Sequence, residues 1–476
     1  MTWVECGKFA SMQERRCLVG LMLTVTLMCP LLSWSQATVK GFIRSKDSGE
    51  PVMFASVALE GSSRGVMTDI EGFYSLTRVP AGQYTLVISS MEFEGISEAV
   101  EVIDGKILTR NFFLESKVIQ LGSAEINADR QEQTTKVNMS IETIRPSDLK
   151  KIPSFGGSPD LVQALQVLPG FISTGDQGGQ LYIRGGSPIQ NKVLLDGMII
   201  YNTFHSIGLF SVFDSDVISN ADVYTGGFSA KFGGRISSIM DIKTRDGNKK
   251  KIQGRVGVSP FGAKLTLEGP LKKLGTGGGG ISYILSLKHS YLEQTSKVLY
   301  DYVNDDGRGL PFNFTDAYGK VSFGSGNGSK LSLFGFNFSD RVNYQALSDL
   351  GWTNAGAGGN FTVVPSGSAI LMNGHFAASN YEIRLQEEEL EDRFSSVNGF
   401  NFGLDFKYML GENAVEYGLE VVGMETDFQT FNSIGVQVGQ KENTTEFAGY
   451  LDYRINNGDW IINPSMRMQY YSSIAR

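Results

Sequence analysis

Two neighbouring stretches, Phe400–Leu410 (FNFGLDFKYML) and Val415–Val421 (VEYGLEV), carry the pattern that decides the architecture. In the first, Phe400, Phe402, Leu404, Phe406, Tyr408 and Leu410 share one side, and Asn401, Gly403, Asp405 and Lys407 share the other. In the second, Val415, Tyr417, Leu419 and Val421 oppose Glu416, Gly418 and Glu420. Successive side chains of a strand point to opposite faces, so a period of two means strands with one apolar and one polar face. The same alternation sets Ile281, Tyr283, Leu285 and Leu287 against Ser282, Ser286 and Lys288. It also sets Phe447, Gly449, Leu451, Tyr453 and Ile455 against Tyr450, Asp452 and Arg454. Runs of about ten residues exceed the five or six usual in soluble sandwiches and fit membrane-crossing strands with apolar side chains outward.

Working outward, roughly ten such strands are expected between Ile252 and Arg476, whereas plugged transporters have about 22. The final run, WIINPSMRMQYYS, then has no closing partner, and an open edge in lipid leaves backbone groups unsatisfied. The expectation is a barrel that is incomplete in this chain, with a gene fragment and a genuinely short product both open. Polar, glycine-rich Tyr344–Gly367 and acidic Glu387–Asp392 are expected as outer loops.

Composition agrees. The 476 residues predict more than one domain, at about 150 residues each. Glycine is frequent at 57, and Phe (30) and Tyr (18) dominate the aromatics. With 42 basic and 50 acidic residues the net charge is −8, so no cationic field invites nucleic acid. The three cysteines, Cys6, Cys17 and Cys29, all precede residue 36, which leaves the rest of the chain without a disulfide or thiolate metal site. His205, His289 and His375 are too far apart in sequence for zinc-type spacing, so no metal or other cofactor is expected. The apolar run Leu18–Leu32 follows Arg15 and Arg16 and precedes Ser33-Trp34-Ser35, which together read as a secretory signal over 1–35. The start codon is Met1 or Met12.

Residues 36–116 alternate short strands with turns: VKGFIRS, VMFASVALEG, VMTDIEGFYSL, QYTLVIS and ILTRNFFL predict a seven-strand-like sandwich with no nucleophile-base pair. The order from Gly41 to Ser89, including EPVMFASVALEG and VPAGQYTLVIS, resembles the carboxypeptidase regulatory-like, transthyretin-like domain, an accessory module without peptidase chemistry. Next comes 117–136, a linker with the extended stretch QLGSAEINADR. Composition alone leaves it between a plain spacer and a strand offered to a partner's sheet edge.

Residues 137–248 follow a different rhythm. Ser158-Pro159-Asp160 caps the apolar-periodic helix LVQALQVL, which stops at Pro169-Gly170. Then LYIRGG, KVLLDG and MIIYN form a hairpin series, and NADVYTGGFSAKFGGRISSIMDIKTRDG alternates glycine turns with strands. In this order the segments resemble the plug domain of TonB-dependent outer-membrane receptors of the Bacteroidota type. The resemblance implies a mainly β chain: N-terminal sandwich, small α+β plug, and an antiparallel transmembrane β-barrel over 249–476. It implies plug structural roles for Arg184, Gly185, Gly186, Asp196, Gly197, Gly233 and Gly234, with Arg184 forking onto barrel carboxylates. Leu121, Gly122, Ser123, Ala124, Glu125, Ile126, Asn127 and Ala128 resemble a TonB box, with Ala124 and Glu125 departing from its apolar run. The implied partners are TonB with its inner-membrane energising complex, outer-membrane lipid and a small nutrient ligand. A surface lipoprotein is an open addition.

Three attractive features read more simply. Asp196 is expected to form a turn, and His205 to pack or make a surface hydrogen bond, rather than the two acting together. Gly275–Gly280 fits a dinucleotide fingerprint but precedes a strand, so it is a turn. Asp214-Ser215-Asp216 lacks the rest of a calcium loop. The function implied is TonB-energised uptake at the outer membrane, sandwich and plug facing the periplasm, without catalysis. A non-transporting sensor or scaffold is the alternative, and a secreted sandwich enzyme is disfavoured by strand length.

Overall fold

The computed structural model describes residues 37–475 apart from 63, 118–140, 153–157, 175–178, 206–207, 209, 276–278, 301–306, 308, 345–347, 366–367, 369, 388–390, 411–412, 433 and 458–459. The expected secretory signal and Leu121–Ala128 lie outside the described residues.

The sandwich has eight strands: β1 (Ala37–Ser45), β2 (Ser56–Leu59), β3 (Gly65–Met67), β4 (Phe73–Val79), β5 (Gly82–Ser89), β6 (Ile96–Val102), β7 (Ile107–Thr109) and β8 (Phe112–Leu114). One sheet runs β4-β1-β7 with β8 also on β1, the other β3-β2-β5-β6. Val39, Ile43, Tyr74 and Leu76 meet Val57, Leu59, Leu86 and Ile88 between them. Two expected strands are each split in two, and the reasons are local. Asp69 Oδ1 accepts from the amides of Glu71 and Phe73 and turns the chain between β3 and β4. Asn111 Oδ1 takes the amide of Phe42 and breaks β7 from β8.

In the plug, β9 (Ile141–Ile144), β12 (Asn191–Leu195), β13 (Met198–Ile199), β14 (Ile218–Tyr224) and β15 (Ser238–Thr244) form one sheet, ordered β13-β12-β15-β14-β9. A separate hairpin pairs β10 (Phe171–Thr174) with β11 (Gln180–Ile183). Two short helices, α1 (Pro146–Leu149) and α2 (Leu161–Leu165), precede it. Asp160 caps α2, accepting from Val162 and Gln163 amides at 2.9 and 3.1 Å. The helix stops at Leu165, short of the expected Leu168. The amides of Gln166 and Val167 bond three residues back, to Gln163 and Ala164, and this tightened turn leads out to Pro169-Gly170.

The C-terminal part is one twelve-stranded antiparallel sheet, a partial barrel wrapped on the plug. Its strands are β16 (Gln253–Val258), β17 (Gly262–Lys272), β18 (Gly280–Ser290), β19 (Phe312–Gly324), β20 (Lys330–Tyr344) and β21 (Ser348–Val363). They continue as β22 (Ile370–Glu387), β23 (Arg393–Leu410), β24 (Asn413–Phe431), β25 (Gln437–Asn457), β26 (Trp460–Ile462) and β27 (Ser465–Ala475). Helix α3 (Leu292–Leu299) lies between β18 and β19. Burial is inverted relative to a soluble sandwich: Leu285 and Leu287 are 48% and 51% exposed while Ser282 and Ser286 are buried. Among the described residues no helix is long and apolar enough to cross a membrane.

Twelve strands stand where about ten were expected, and Tyr344–Gly367 is mostly not a loop. Residues 348–363 are strand β21, paired along its length with β20 and β22. Its small residues make room for neighbours, Met198 of the plug and Phe334 of the adjacent barrel strand β20. A Cβ on Gly356 would lie 2.9 Å from Met198 Sδ, and one on Gly358 2.9 Å from Phe334. Loop-like composition here is the imprint of a neighbour, not of a turn.

Candidate functional site: the seam between plug and barrel

Inward positions of β19 are met by the plug one after another. At the first, His205 is fully buried, its Nε2 2.9 Å from Asp316 Oδ2 and its Nδ1 3.1 Å from Asp340 Oδ2 on β20. Its ring stacks on Phe314 at 3.7 Å between centroids. Burial opposes protonation of this ring, but the two carboxylates outweigh it and hold the pKa above the usual 6.5. The loop bearing His205 is fixed from below by Asp160, whose second oxygen accepts from the amide and hydroxyl of Ser211.

Further along, Tyr318 donates its hydroxyl to Asp196 Oδ2 at 2.9 Å, and Thr244 gives that carboxylate both its amide and its hydroxyl. Lys320 Nζ donates to the carbonyl and hydroxyl of Thr244 at 3.0 and 2.9 Å. Ser322 donates to Asp246 Oδ1 at 2.7 Å. Burial would raise the Asp246 pKa, yet Lys249, Lys330 and Lys320 together hold it well below the ordinary range. A buried charge is tolerated when it is paired and hydrogen-bonded in this way.

The opposite wall repeats the arrangement with ion pairs. Lys192 meets Glu420 at 3.0 Å, and Lys231 meets Asp405 at 2.9 Å. Arg467 donates to the carbonyls of Ala230 and Lys231 and to Glu420. Asn401 donates to the carbonyl of Gly197. Apolar packing is shared as well, since Phe334, Phe336, Phe338 and Trp352 of the wall belong to the same core as Leu195, Met198 and Ile242 of the plug.

The residues singled out from sequence fall into two groups. Asp196, Gly197 and Gly233 lie on the seam. Asp196 is a turn residue at φ 51° but also a buried acceptor, more than the expected turn. Gly197, at φ 89°, sits where a Cβ would come 2.8 Å from the His375 ring, and a Cβ on Gly233 would come 2.3 Å from Arg467 Nε. Gly234 faces Glu446. By contrast, Arg184 is an exposed turn residue at φ 48° whose amide donates to Gly170, with Gly185 and Gly186 beside it and Ser237 packed on Gly186. His205 packs as expected, stacked on Phe314, but its hydrogen bonds are buried rather than at the surface: it is clamped between two barrel aspartates. Asp214 and Asp216 are taken up by Lys264, which lies 3.3 and 2.6 Å from them.

The polar members of the seam that sequence reading left unassigned are Lys192, Thr244, Asp246, Tyr318, Lys320 and Arg467. For Tyr318, Lys320 and Arg467 the sequence-level sign was a polar side chain at an inward position of a barrel strand; Lys192, Thr244 and Asp246 lie on or just after plug strands and carried no such sign. Beside the seam, a cleft with about 550 Å³ of atom-free space lies between Asp160, Phe210 and Asp214 of the plug and Phe261, Lys264 and Lys288 of the barrel. Lys288 Nζ stands over the Phe314 ring, 5.0 Å from its centre.

A partial barrel wall wrapped on a polar-bonded domain defines the class: a plugged β-barrel. Comparison makes it specific. Residues 133–238 match the TonB-dependent Receptor Plug Domain and 39–126 the CarboxypepD_reg-like domain. These matches place a plug-type domain of TonB-dependent receptors over 133–238, with the accessory domain ahead of it. It is 24% identical over 240 residues to the TonB-dependent receptor SusC of Bacteroides thetaiotaomicron and 23% identical over 243 residues to the TonB-dependent transporter Oar of Myxococcus xanthus. Each match takes in 48% of this chain but only 23% and 22% of those relatives. Among solved structures, the FrpB iron transporter of Neisseria meningitidis superposes with a TM-score of 0.53 at 14% identity, covering 71% of this chain and 60% of that one. The ferric citrate transporter FecA gives 0.52 at 15% identity, covering 73% and 58%. At these identities the structures share the fold.

Proposed function

We propose that the chain acts as an outer-membrane receptor that takes up a small nutrient ligand with energy transmitted by TonB. One observation carries this reading: the partial barrel wraps a domain held through many separate polar contacts, so that a barrel closed around it opens a path only if the plug moves. The hydrogen bonds and ion pairs of such a seam can exchange partners one at a time as a plug shifts and reseats, while the apolar packing shared with Phe334, Phe336 and Trp352 opposes the movement.

In this reading 1–35 address the chain for export, 36–116 and the plug at 137–248 face the periplasm, and 249–476 contribute barrel. Leu121–Ala128 within the linker at 117–136 pairs as an added strand with TonB and its energising complex. Lipid contacts the outward side chains, a surface lipoprotein at the outer loops is a further candidate partner, and no catalytic step is assigned. The test is accumulation of candidate ligands by cells expressing the protein, with and without a proton gradient. Gradient-dependent accumulation is expected; binding at the surface without accumulation would leave a sensor or scaffold instead.

A further inference from the structure

We propose that the N-terminal sandwich is a clamp on the plug, joining it to the barrel through two charge nodes to which sandwich, plug and barrel each contribute one side chain. The first node is Lys330 of β20, with Nζ 2.8 Å from Glu71 of the sandwich and 3.5 Å from Asp246 of the plug. The second is Arg245 of the plug. It lies 3.2 Å from Glu50 of the sandwich and forks onto both oxygens of Glu268 on β17.

Each contact surrounding the nodes joins the same parts. Towards the barrel, Lys40 Nζ donates to the carbonyls of Pro365 and Ser368 at 3.0 and 2.7 Å, and Asn111 donates to Gly326. Phe42 and Phe73 form an apolar cluster with Val364 and Leu371, separate from the sandwich core. Towards the plug, the Lys249 amide donates to the Ser48 carbonyl at 2.9 Å, and Lys250 Nζ donates to the Lys46 carbonyl. The sandwich thus sits at the barrel end formed by the β19–β20 and β21–β22 turns.

Geometry gives the clamp its consequence. Arg245 and Asp246 directly follow β15, the plug strand that ends at Thr244 and is bonded there to Asp196 and Lys320. Displacing this strand takes Arg245 from Glu50 and Asp246 from Lys330, while removing the sandwich lets water into nodes where Asp246 and Glu268 are otherwise buried and weakens their pairing. Coupling of this kind is reciprocal: sandwich docking holds the plug, and plug seating holds the sandwich. None of this depends on whether the protein transports a ligand.

The experiment compares the full chain with a Glu50→Gln/Glu71→Gln variant in isolated outer membranes, without TonB. Amine cross-linking of Lys46 to Lys250 reports docking, and hydrogen exchange of β15 reports plug seating. The variant should lose most of the cross-link and exchange β15 amides about fivefold faster or more. Retention of the cross-link would overturn the proposal, because the nodes then do not hold the sandwich. Loss of the cross-link with β15 exchange changed by less than about twofold would overturn it too, because docking then does not bear on the plug. Exchange of β2 and β5 checks that the sandwich stays folded. If it does not, Phe42→Ala, which trims the apolar cluster and leaves every charge in place, is judged by the same two readouts.

Discussion

Lys192 of the plug places its Nζ 3.0 Å from Glu420 Oε1 on barrel strand β24, and the two side chains keep only 9% and 17% exposure. The other oxygen of Glu420 accepts from Arg467, so one carboxylate neutralises a cation from the plug and a cation from the wall. Glu420→Gln would leave both cations buried without an anion, and breaking a buried pair in this way costs about 3–5 kcal/mol. The expected result is a lower thermal midpoint for plug release from the barrel. Lys192→Met/Glu420→Met should recover part of the loss, because it removes one unpaired charge; a double variant worse than Glu420→Gln would refute the pairing.

His205 provides a pH dependence. Its folded pKa is raised, with burial overcome by Asp316 and Asp340, while Lys288, 3.8 Å from Asp316, adds an opposing charge. A raised histidine adds stability that is complete below its unfolded value near 6.5 and disappears as pH climbs past the folded value. Plug seating should therefore weaken as pH is raised above about 6.5, and His205→Gln should flatten that profile. Hydrogen exchange of the β15 amides across the range is the check.

At Gly197 two costs coincide. A left-handed backbone at φ 89° disfavours any side chain, and an added Cβ would meet the His375 ring at 2.8 Å. Gly197→Ala should destabilise plug seating by about 1–3 kcal/mol. His375→Ala should restore only the share due to the clash. Complete rescue would mean the backbone term is negligible, and no rescue would mean the ring was free to move.

The outward face of the barrel was legible in sequence because its apolar side chains recur at every second position whatever lies behind them; Phe400, Phe402 and Leu419 needed no partner to be assigned. The seam was not. Asp405 and Glu420 could be placed inward by the same alternation, yet Lys192 lies 228 residues from Glu420, and only the folded register brings them together. His205 misled for a related reason, since a lone histidine in a loop carries no sign of two aspartates on different strands. Residues 348–363 misled in the opposite direction: glycines that admit Met198 and Phe334 have the composition of a loop.

Ile126 tests the docking of TonB. If Leu121–Ala128 adds as a strand to a TonB sheet, its affinity comes from backbone hydrogen bonds, and proline at 126 removes a donor and locks φ. Ile126→Pro should lower binding of a purified TonB C-terminal domain by about tenfold or more, one to two hydrogen bonds' worth, while Ile126→Val changes it little. Titration of both variants against the full chain reads the difference, and equal affinities for the two would dispose of strand pairing at this segment.

The lipid-facing side of β24 can be tested at Leu419, which is 42% exposed with Glu420 beside it pointing to the plug. On a soluble surface, Leu→Arg would change stability by less than about 0.5 kcal/mol. Facing hydrocarbon, an arginine costs about 2–4 kcal/mol near the bilayer midplane and about 0–1 kcal/mol near its edges. Leu419→Arg, six residues into a nineteen-residue strand, should therefore fold into liposomes with a loss towards the larger figure, while Leu419→Phe is neutral. Reversible denaturant titration in lipid measures it. A loss as small as that on a soluble surface would mean that water, not lipid, covers this side of β24.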